Sequence, residues 1–316
     1  MSLDRETGRD RYFEEREREL EALRGRAVSL REVDCPLCGS AARARLFEKH
    51  GFTFVRCRDC GLVFVNPQLE EAVVLEEYRT AATNDLWFDV LTSARQQELD
   101  RSKFAEVLDA LEPYRGRILD VGCSLGLFLA LARERGWDGI GLELAPRALA
   151  HAREVHGLEV LDVSLEEARF EDGSFDSVAL LSTLEHVVEP LALLRESARV
   201  LRPGGALYVI VPNVDSLACR ALGAQARTFD GRNHLVYFSA ATLTDALGRS
   251  GFDVVRTTTR IGSLGPVLAS AAGREPYADD DHPLSAWLAE RGDDLERDVE
   301  QLGLGYKLHG IAVKPS

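Results

Sequence analysis

The sequence has no apolar run long enough to cross a bilayer, and its first residues are charged. A membrane-spanning helix needs roughly 18 or more consecutive apolar residues, and a secretory signal needs an apolar stretch near the N-terminus. We therefore expect a cytoplasmic protein that does not enter a membrane. Positive charge is also scarce, because 38 Lys and Arg face 52 Asp and Glu, a net charge of -14. That balance repels phosphate backbones and disfavours a nucleic-acid substrate.

Cysteine is sparse too, with six in 316 residues, and four of the six form two C-x-x-C pairs. The pairs are Cys35 with Cys38 and Cys57 with Cys60. In an intracellular chain this spacing predicts a four-thiolate zinc site, which leaves no coordination position for water and is therefore structural. A redox dithiol is the alternative interpretation. Cys123 and Cys219 lack metal-ligand spacing and are expected to be small buried residues.

From Arg117 onward, apolar strands alternate with helical stretches. Strand, helix and strand in succession predict an α/β fold with a doubly wound, mostly parallel sheet of seven strands and right-handed crossovers. The strands are expected at 118–121, 139–144, 159–163, 177–181, 206–212, 252–261 and 306–313.

The chain divides by composition into four segments. They are a charged N-terminal arm or helix at 1–30, a zinc-binding lobe at 31–68, a helical linker or lid at 69–115, and the main domain at 116–316 with an acidic helical insertion at about 264–303. Arg and Glu dominate the arm, so we interpret it as a solvated segment that is able to dock on a neighbour.

An apolar strand ending at Val121 runs into a turn that contains Gly122 and Gly126. A Cβ at either glycine is expected to occupy space that a ligand needs. Glu143 ends the next apolar strand, where a carboxylate can accept both hydroxyls of a ribose. A domain that binds NAD is the alternative, but that motif has three glycines, and here Ser124 occupies the middle position.

Further motifs follow in order along the chain. The full set is Asp120-Val121-Gly122-Cys123, Phe175-Asp176, Leu184-Glu185-His186-Val187, Leu201-Arg202-Pro203-Gly204-Gly205 and Pro212-Asn213. In these residues the chain resembles the class I (Rossmann-like) S-adenosylmethionine (SAM) methyltransferases, specifically the bacterial small-molecule type with an N-terminal four-cysteine zinc ribbon. The resemblance covers about residues 35–260 and departs at Ser124, where the family usually has glycine.

The resemblance implies SAM as the cofactor and a structural zinc. Gly122 and Gly126 would line the methionine part of SAM, Glu143 would bind its ribose and Asp120 would orient the loop. The other implied cofactor contacts are Cys123, Ser124, Leu144, then Ser164 and Leu165 at the adenine, and Ser182 near the sulfonium. The zinc lobe and the next helices would roof the acceptor pocket. Tyr78, Trp87 and Phe88 are candidate cover residues, with core packing as the alternative.

Methyl transfer is an in-line displacement, so the enzyme mainly aligns the reactants and excludes water. An acceptor that must lose a proton needs a base, a role suited to histidine. Glu185 and His186 follow the fourth strand of the main domain, and His234 begins a segment that resembles the family's His-Leu-x-x-Phe-Ser stretch, with Arg232 available for an anionic group. The alternative for both histidines is a structural hydrogen bond. The other five histidines form no constellation.

By analogy with related enzymes, the acceptor is expected to be a small molecule, such as a sugar, a quinol-like ring or a secondary metabolite. A zinc-ribbon methyltransferase that acts on ribosomal RNA is an alternative, which the acidic charge balance disfavours. A module that binds SAM or a partner protein without catalysis is another.

Overall fold

A computed structural model of the chain describes residues 11–12, 14–19, 30–80, 83–260 and 283–316. Within these ranges it leaves the side chains at 77, 78, 283–289 and 293 undescribed. The predicted cover residue Tyr78 is among those side chains, and His282 lies outside the described residues. Of the helices described, none is both long and apolar enough to span a bilayer.

The strands and helices alternate as the sequence predicts. The described strands are β1 (Leu30–Arg31), β2 (Arg43–Lys49), β3 (Phe52–Cys57), β4 (Val63–Val65), β5 (Gln68–Leu69), β6 (Arg117–Val121), β7 (Asp138–Leu142), β8 (Glu159–Leu161), β9 (Phe175–Leu181), β10 (Leu201–Pro212), β11 (Val236–Tyr237), β12 (Asp253–Arg260) and β13 (Lys307–Val313). The helices are α1 (Glu71–Thr80), α2 (Thr83–Leu91), α3 (Ala94–Leu111), α4 (Leu127–Glu134), α5 (Pro146–Glu154), α6 (Leu165–Ala168), α7 (Pro190–Val200), α8 (Leu217–Leu222), α9 (Ala240–Arg249) and α10 (Pro283–Gln301).

The main domain is a seven-stranded sheet in the order β12-β13-β10-β9-β6-β7-β8. β13 runs antiparallel to both of its neighbours, and the pairs among β6 to β10 are parallel. The prediction of a doubly wound, mostly parallel seven-stranded sheet is therefore confirmed. The chain crosses to opposite sides of β6, so a ligand crevice is expected at the carboxyl edge between β6 and β9.

Core side chains cover both faces of this sheet. Leu119 and Val178 belong to one hydrophobic cluster, whereas their strand neighbours Ile118 and Ala179 belong to the other, and all four are fully buried. Successive strand residues point to opposite faces, so apolar residues at consecutive positions build two cores. This explains why the strands are short, continuous apolar runs.

The cysteine-containing lobe is a four-stranded sheet in the order β11-β4-β3-β2. Its outer strand comes from far along the chain, because Val236 pairs with Phe64 and Tyr237 pairs with Val63. Neither β11 nor β2 was predicted from the sequence. β11 has only two residues, and β2 (RARLFEK) is rich in charge, so neither presents a clear strand pattern.

The three helices α1 to α3 occupy the predicted linker segment and lie over the carboxyl edge of the sheet. The described part of the N-terminal arm is helical and docks beside them. Arg16 is 8% exposed and forms an ion pair with Asp230, and Glu19 pairs with Arg232. The described part of the arm thus docks on the main domain, where two of its charges have partners.

The predicted acidic insertion is described only in its second half. There α10 runs for 19 residues, and Leu304, just after it, accepts a backbone hydrogen bond from Leu217. The first half of the insertion, 264–282, lies outside the described residues. The four segment boundaries themselves remain a prediction.

Candidate cofactor and acceptor site

An open cleft of about 2450 Å³ lies at the carboxyl edge of the sheet. The loops that follow β6, β7, β8 and β9 form its floor, and side chains of α1, α2 and α3 form its roof. Trp87 and Phe88 line this cleft, with the Arg147 guanidinium 3.9 Å from the centre of the Phe88 ring. Consecutive parallel strands converge at this edge, which is where open α/β sheets bind ligands.

The loop after β6 has three residues in the left-handed region: Gly122 (φ 78°), Ser124 (φ 49°) and Gly126 (φ 80°). A Cβ on Gly122 would lie 2.7 Å from the Thr183 hydroxyl oxygen, and a Cβ on Gly126 would lie 2.5 Å from a Leu158 methyl group. Packing of the loop against Thr183 and Leu158 thus requires glycine at both positions. The expectation that a ligand also needs this space stays a prediction.

Glu143, directly after β7, holds this loop in shape. Its carboxylate accepts backbone hydrogen bonds from Ser124 (2.8 Å), Leu144 (2.9 Å) and Ala145 (2.7 Å). Burial raises the pKa of Glu143, and these three donors oppose that rise. A carboxylate has about four acceptor positions, so one remains for a ligand hydroxyl. The residue predicted to bind ribose thus also binds the loop.

Asp120, at the end of β6, has a different environment. Its side chain is 2% exposed, and its Oδ1 has no hydrogen-bond partner among the described residues. Burial, reinforced by the charge of Glu143, raises the pKa of Asp120 to about 8. The hydrogen bonds that hold the loop come from Glu143, and the role of Asp120 in orienting the loop stays a prediction. A buried carboxylate oxygen without a donor fits a ligand ammonium group, such as the amino group of SAM.

The other predicted cofactor residues also line the cleft: Cys123, Leu144, Ser164, Leu165 and Ser182. Ser164 caps α6 by accepting a hydrogen bond from the backbone of Glu167, so its hydroxyl is already used, while Leu165 is buried. Ser182 ends β9 with φ 65°, and its hydroxyl accepts a hydrogen bond from Lys307 (3.2 Å). Strain of this kind is concentrated at functional sites.

His186 and His234 come together although 48 positions separate them in the sequence, and their ring centres are 4.8 Å apart. His186 directs Nδ1 to the Asn233 carbonyl (2.9 Å), and His234 directs Nδ1 to the Thr228 carbonyl (3.0 Å). A carbonyl accepts a hydrogen, so Nδ1 of each ring donates to it. The backbone of Ser182 is a second hydrogen-bond partner of the His186 ring. Both rings line the cleft.

Burial lowers the pKa of His186 to about 4 and holds the pKa of His234 well below 6.5. Glu185 lies beside them with 1% of its surface exposed, and neither carboxylate oxygen has a hydrogen-bond partner among the described residues. Burial raises the pKa of Glu185 to about 7, although the nearby charge of Lys307 lowers it. The Glu185 Oε1 lies 3.9 Å from the His186 Nε2.

Asp230 anchors the segment that carries His234. Its Oδ1 accepts backbone hydrogen bonds from Arg232 (3.1 Å), Asn233 (3.0 Å) and His234 (3.0 Å), and its Oδ2 pairs with Arg16. Arg232 is itself 3% exposed and donates to Glu19 (2.7 Å). The prediction that Arg232 is available for an anionic ligand is therefore wrong, because an internal ion pair uses it. Asp230 is a site residue that the sequence analysis missed.

The four cysteine thiols of the N-terminal lobe form one cluster. All four sulfur atoms lie within 4.8 Å of one another, with Cys35 and Cys60, and Cys38 and Cys57, at 3.5 Å. Gly39 (φ 75°) and Gly61 (φ 81°) follow the pairs and let the backbone fold back, so that each donates to the carbonyl of the first cysteine. A tetrahedral zinc with bonds of ~2.3 Å requires sulfur atoms ~3.8 Å apart, so this donor set fits it.

Comparison with known proteins agrees with this arrangement. Residues 93–257 match the family described as a methyltransferase domain. The ubiquinone biosynthesis O-methyltransferase of Xanthomonas axonopodis pv. citri is 34% identical over 145 residues, which are 42% of this chain and 59% of that protein. The enzyme of the same name from Xanthomonas oryzae pv. oryzae is 39% identical over 108 residues, 31% of this chain and 43% of that protein. The chain thus matches less than two thirds of the length of these relatives.

A SAM-dependent methyltransferase from Archaeoglobus fulgidus matches in structure with a TM-score of 0.51 and 21% identity, over 72% of this chain and 99% of that chain. Similarity at that identity shows the fold. The family match covers more than half of the 316 residues and includes the strands that build the cleft. The chain belongs to the methyltransferase domain family and has the class I SAM-dependent methyltransferase fold.

Proposed function

We propose that the protein transfers a methyl group from SAM to a small-molecule acceptor at the carboxyl edge of the sheet, and that the zinc lobe is structural. One observation carries the proposal: Glu143, which holds the glycine turn, and a pair of neutral histidines line the same cleft, and Asp120, with a buried carboxylate oxygen that has no partner among the described residues, directly precedes the cleft-lining Val121 and Gly122. The Asp120 carboxylate suits the amino group of the cofactor, and the histidines suit a proton that leaves the acceptor. When bound, SAM supplies an electrophilic methyl group on a sulfonium.

The chain's own residues would hold the cofactor in three places. Asp120 would accept hydrogen bonds from its amino group, and the remaining acceptor position on Glu143 would take a ribose hydroxyl. Leu165, buried at the start of α6, would supply an apolar surface for the adenine. Because Glu143 already fixes the loop, little reorganisation is needed when the cofactor binds.

The histidine pair would take the acceptor proton. Both rings are neutral at pH 7 since burial lowers their pKa values, and a base must be neutral before it accepts a proton. A base with a low pKa suits an acceptor whose own proton is acidic, such as a phenolic hydroxyl. If His186 takes the proton at Nε2, the Glu185 carboxylate 3.9 Å away would stabilise the charged ring.

Two facts support a small hydroxylated acceptor over a nucleic acid. The net charge of -14 opposes phosphate backbones. The curated relatives are named for O-methylation in ubiquinone biosynthesis, although the match covers 59% or less of their length. The four thiolates of the N-terminal lobe would fill every coordination position of a zinc ion, which leaves it no catalytic role.

A direct test combines calorimetry with methyl-group labelling. The protein is expected to bind SAM and its demethylated product S-adenosylhomocysteine (SAH) at one site. With methyl-labelled SAM, the label is expected in low-molecular-weight phenols and catechols, and in neither RNA nor protein fractions. Failure to bind SAH at millimolar concentration would refute the cofactor assignment. Label found only in RNA or protein would refute the acceptor class.

A further inference from the structure

Residues of α3 and β13 line part of the cleft. Lys307 and His309 are two residues apart on β13, so they project to the same face of the sheet. The same face carries Tyr208 and Ile210, which are paired with Ile311 and His309 in the strand register. Lys307, His309 and Ile210 line the cleft.

Lys307 brings an ammonium group into this part of the cleft. It donates to the Ser182 hydroxyl at 3.2 Å and forms no ion pair within 4 Å in the described part of the chain. Burial lowers the pKa of Lys307, and the charge of the Glu185 carboxylate opposes that. Two other carboxylates have partners of their own: Asp100 binds Lys103 at 2.6 Å, and Glu106 lies 3.5 Å from Arg260. An ammonium has three donors, so two remain for a ligand.

His309 adds a neutral donor. It is 5% exposed, its Nδ1 lies 3.0 Å from the Tyr208 hydroxyl, and its buried Nε2 has no hydrogen-bond partner among the described residues. A bound anion would select the tautomer in which the Tyr208 hydroxyl donates to Nδ1 and the ring hydrogen is on Nε2. Burial and the cations Arg260 and Lys307 lower the pKa of His309 to about 3, so the ring is uncharged at neutral pH.

We infer that Lys307 and His309 form an anion-binding subsite that receives a carboxylate or phosphate group of the acceptor. The inference rests on the proposed function, and it narrows the acceptor to molecules with a negative group beside the methylated position. Lys307 contacts Ser182, and Glu185 and His186 follow Ser182 in the chain. An acceptor anchored here would therefore present its body to the histidine pair. Because the chain has a net charge of -14, most of its field repels anions, and a buried lysine without an ion pair among the described residues would attract them at this one position.

The test measures the binding of small probe anions to protein saturated with SAH. Benzoate and phenyl phosphate are the two anionic probes, and benzamide is the neutral probe of matched shape. The wild type is expected to bind at least one anion about 10- to 100-fold more tightly than benzamide, as expected for one or two charge-assisted hydrogen bonds. Whichever anion binds better separates a carboxylate acceptor from a phosphorylated one.

Variants show which residue causes the preference for the anionic probes over benzamide. Lys307→Met is expected to abolish it, and Lys307→Arg, which keeps the charge, is expected to retain most of it. Lys103→Met removes a cation that Asp100 already neutralises and should have a smaller effect, and Arg249→Met, on the exposed face of α9, should have none. SAH affinity, measured in every variant, reports that the protein is folded.

The outcomes separate this inference from the proposed function. If SAH does not bind the wild type, the proposed function fails. If SAH binds but the anions show no advantage over benzamide, or if Lys307→Met keeps that advantage, the anion subsite is refuted. If Lys307→Met weakens SAH as strongly as it weakens the anions, Lys307 serves the cofactor carboxylate, which also overturns the inference.

Discussion

The two ends of the cleft are built in different ways. At the cofactor end, Asp120, the glycine turn and Glu143 fall within 24 consecutive residues, and Glu143 bonds backbone groups of its own neighbourhood. At the acceptor end, Asn233 holds His186 and Asp230 is clamped by Arg16. One end is thus a local motif that adjacent strands make rigid. The other end depends on contacts between segments that are distant in the sequence. Substitutions far from the cleft should therefore affect this end more than the cofactor end.

Removal of the zinc ligands should break the acceptor end and spare the cofactor end. Val65 donates to the Leu235 carbonyl, and β4 pairs with β11, so the lobe supports the backbone next to His234. Structural zinc contributes on the order of 10 kcal/mol or more in small zinc domains. We expect Cys57→Ser to lose zinc and most methyl transfer, while SAH affinity stays within about threefold, a difference under 1 kcal/mol.

Elemental analysis, calorimetry and turnover measure that contrast, and Cys219→Ser, a buried cysteine outside the cluster, is the matched control. Less than roughly half a zinc per folded wild-type chain would count against the site. Full turnover by a zinc-free variant would show that the lobe does not support the acceptor end.

Removal of the base should depress turnover without changing cofactor affinity. Loss of general-base catalysis typically costs about 100- to 10,000-fold, so one of His186→Ala and His234→Ala should show that loss, with His156→Ala, outside the cleft, as the control. Because burial lowers the pKa of His186 to about 4, the base is already neutral above about pH 5. The histidine should therefore add no inflection to the wild-type kcat/KM between about pH 6 and 8, where the buried carboxylates Glu185 and Asp120, with pKa values of about 7 and 8, titrate instead. An inflection near 6.5, lost in either variant, would contradict the lowered pKa.

Glu143→Ala tests the cofactor end directly. The substitution removes the carboxylate that accepts hydrogen bonds from three backbone N–H groups and, in the proposed complex, from a ribose hydroxyl. The free energy of SAH binding should therefore weaken by about 1.5 to 3 kcal/mol, which is a roughly 10- to 150-fold loss of affinity. The exposed Glu159→Ala on β8 is the control. Calorimetry that finds equal affinities for the two variants would remove Glu143 from the site.

Asp120→Asn should give the smallest effect, and its sign should depend on the ligand. Burial raises the pKa of Asp120 to about 8 in the folded state, so the folded protein holds a proton that the unfolded chain releases above about pH 4. The wild-type free energy of unfolding should therefore decrease as pH rises from about 4 to 8, and the variant should lack this component.

Without ligand, Asp120→Asn should be more stable than the wild type by about 1 to 3 kcal/mol at pH 8, yet it should bind SAH more weakly because the ammonium loses its countercharge. Urea unfolding at pH 5 and pH 8, with and without SAH, measures both effects. A variant less stable than the wild type at pH 8 would show that Asp120 has a structural partner.

The sequence predicted the sheet and the tight turn after β6, but not which contacts the residues of that turn make. Gly122 and Gly126 were correctly expected to be required, yet their neighbours are Thr183 and Leu158. Glu143 binds the backbone of the loop that Asp120 was expected to orient. The spacing of the glycines indicates a tight turn. It does not show which atoms of the protein contact that turn, because those contacts depend on how β9 and α5 pack against it.

The sequence by itself determined the features whose physics is local. Two C-x-x-C pairs followed by glycine fold into two tight turns whatever surrounds them, and the alternation of short apolar runs with helices commits the chain to a parallel sheet. Only the tertiary structure decided the acceptor end: the meeting of His186 with His234, the clamp of Arg16 on Asp230, and the position of Lys307 beside Ser182. Crossovers and strand order bring these residues together, and burial, which comes only with packing, lowers the pKa values of the two histidines and of Lys307.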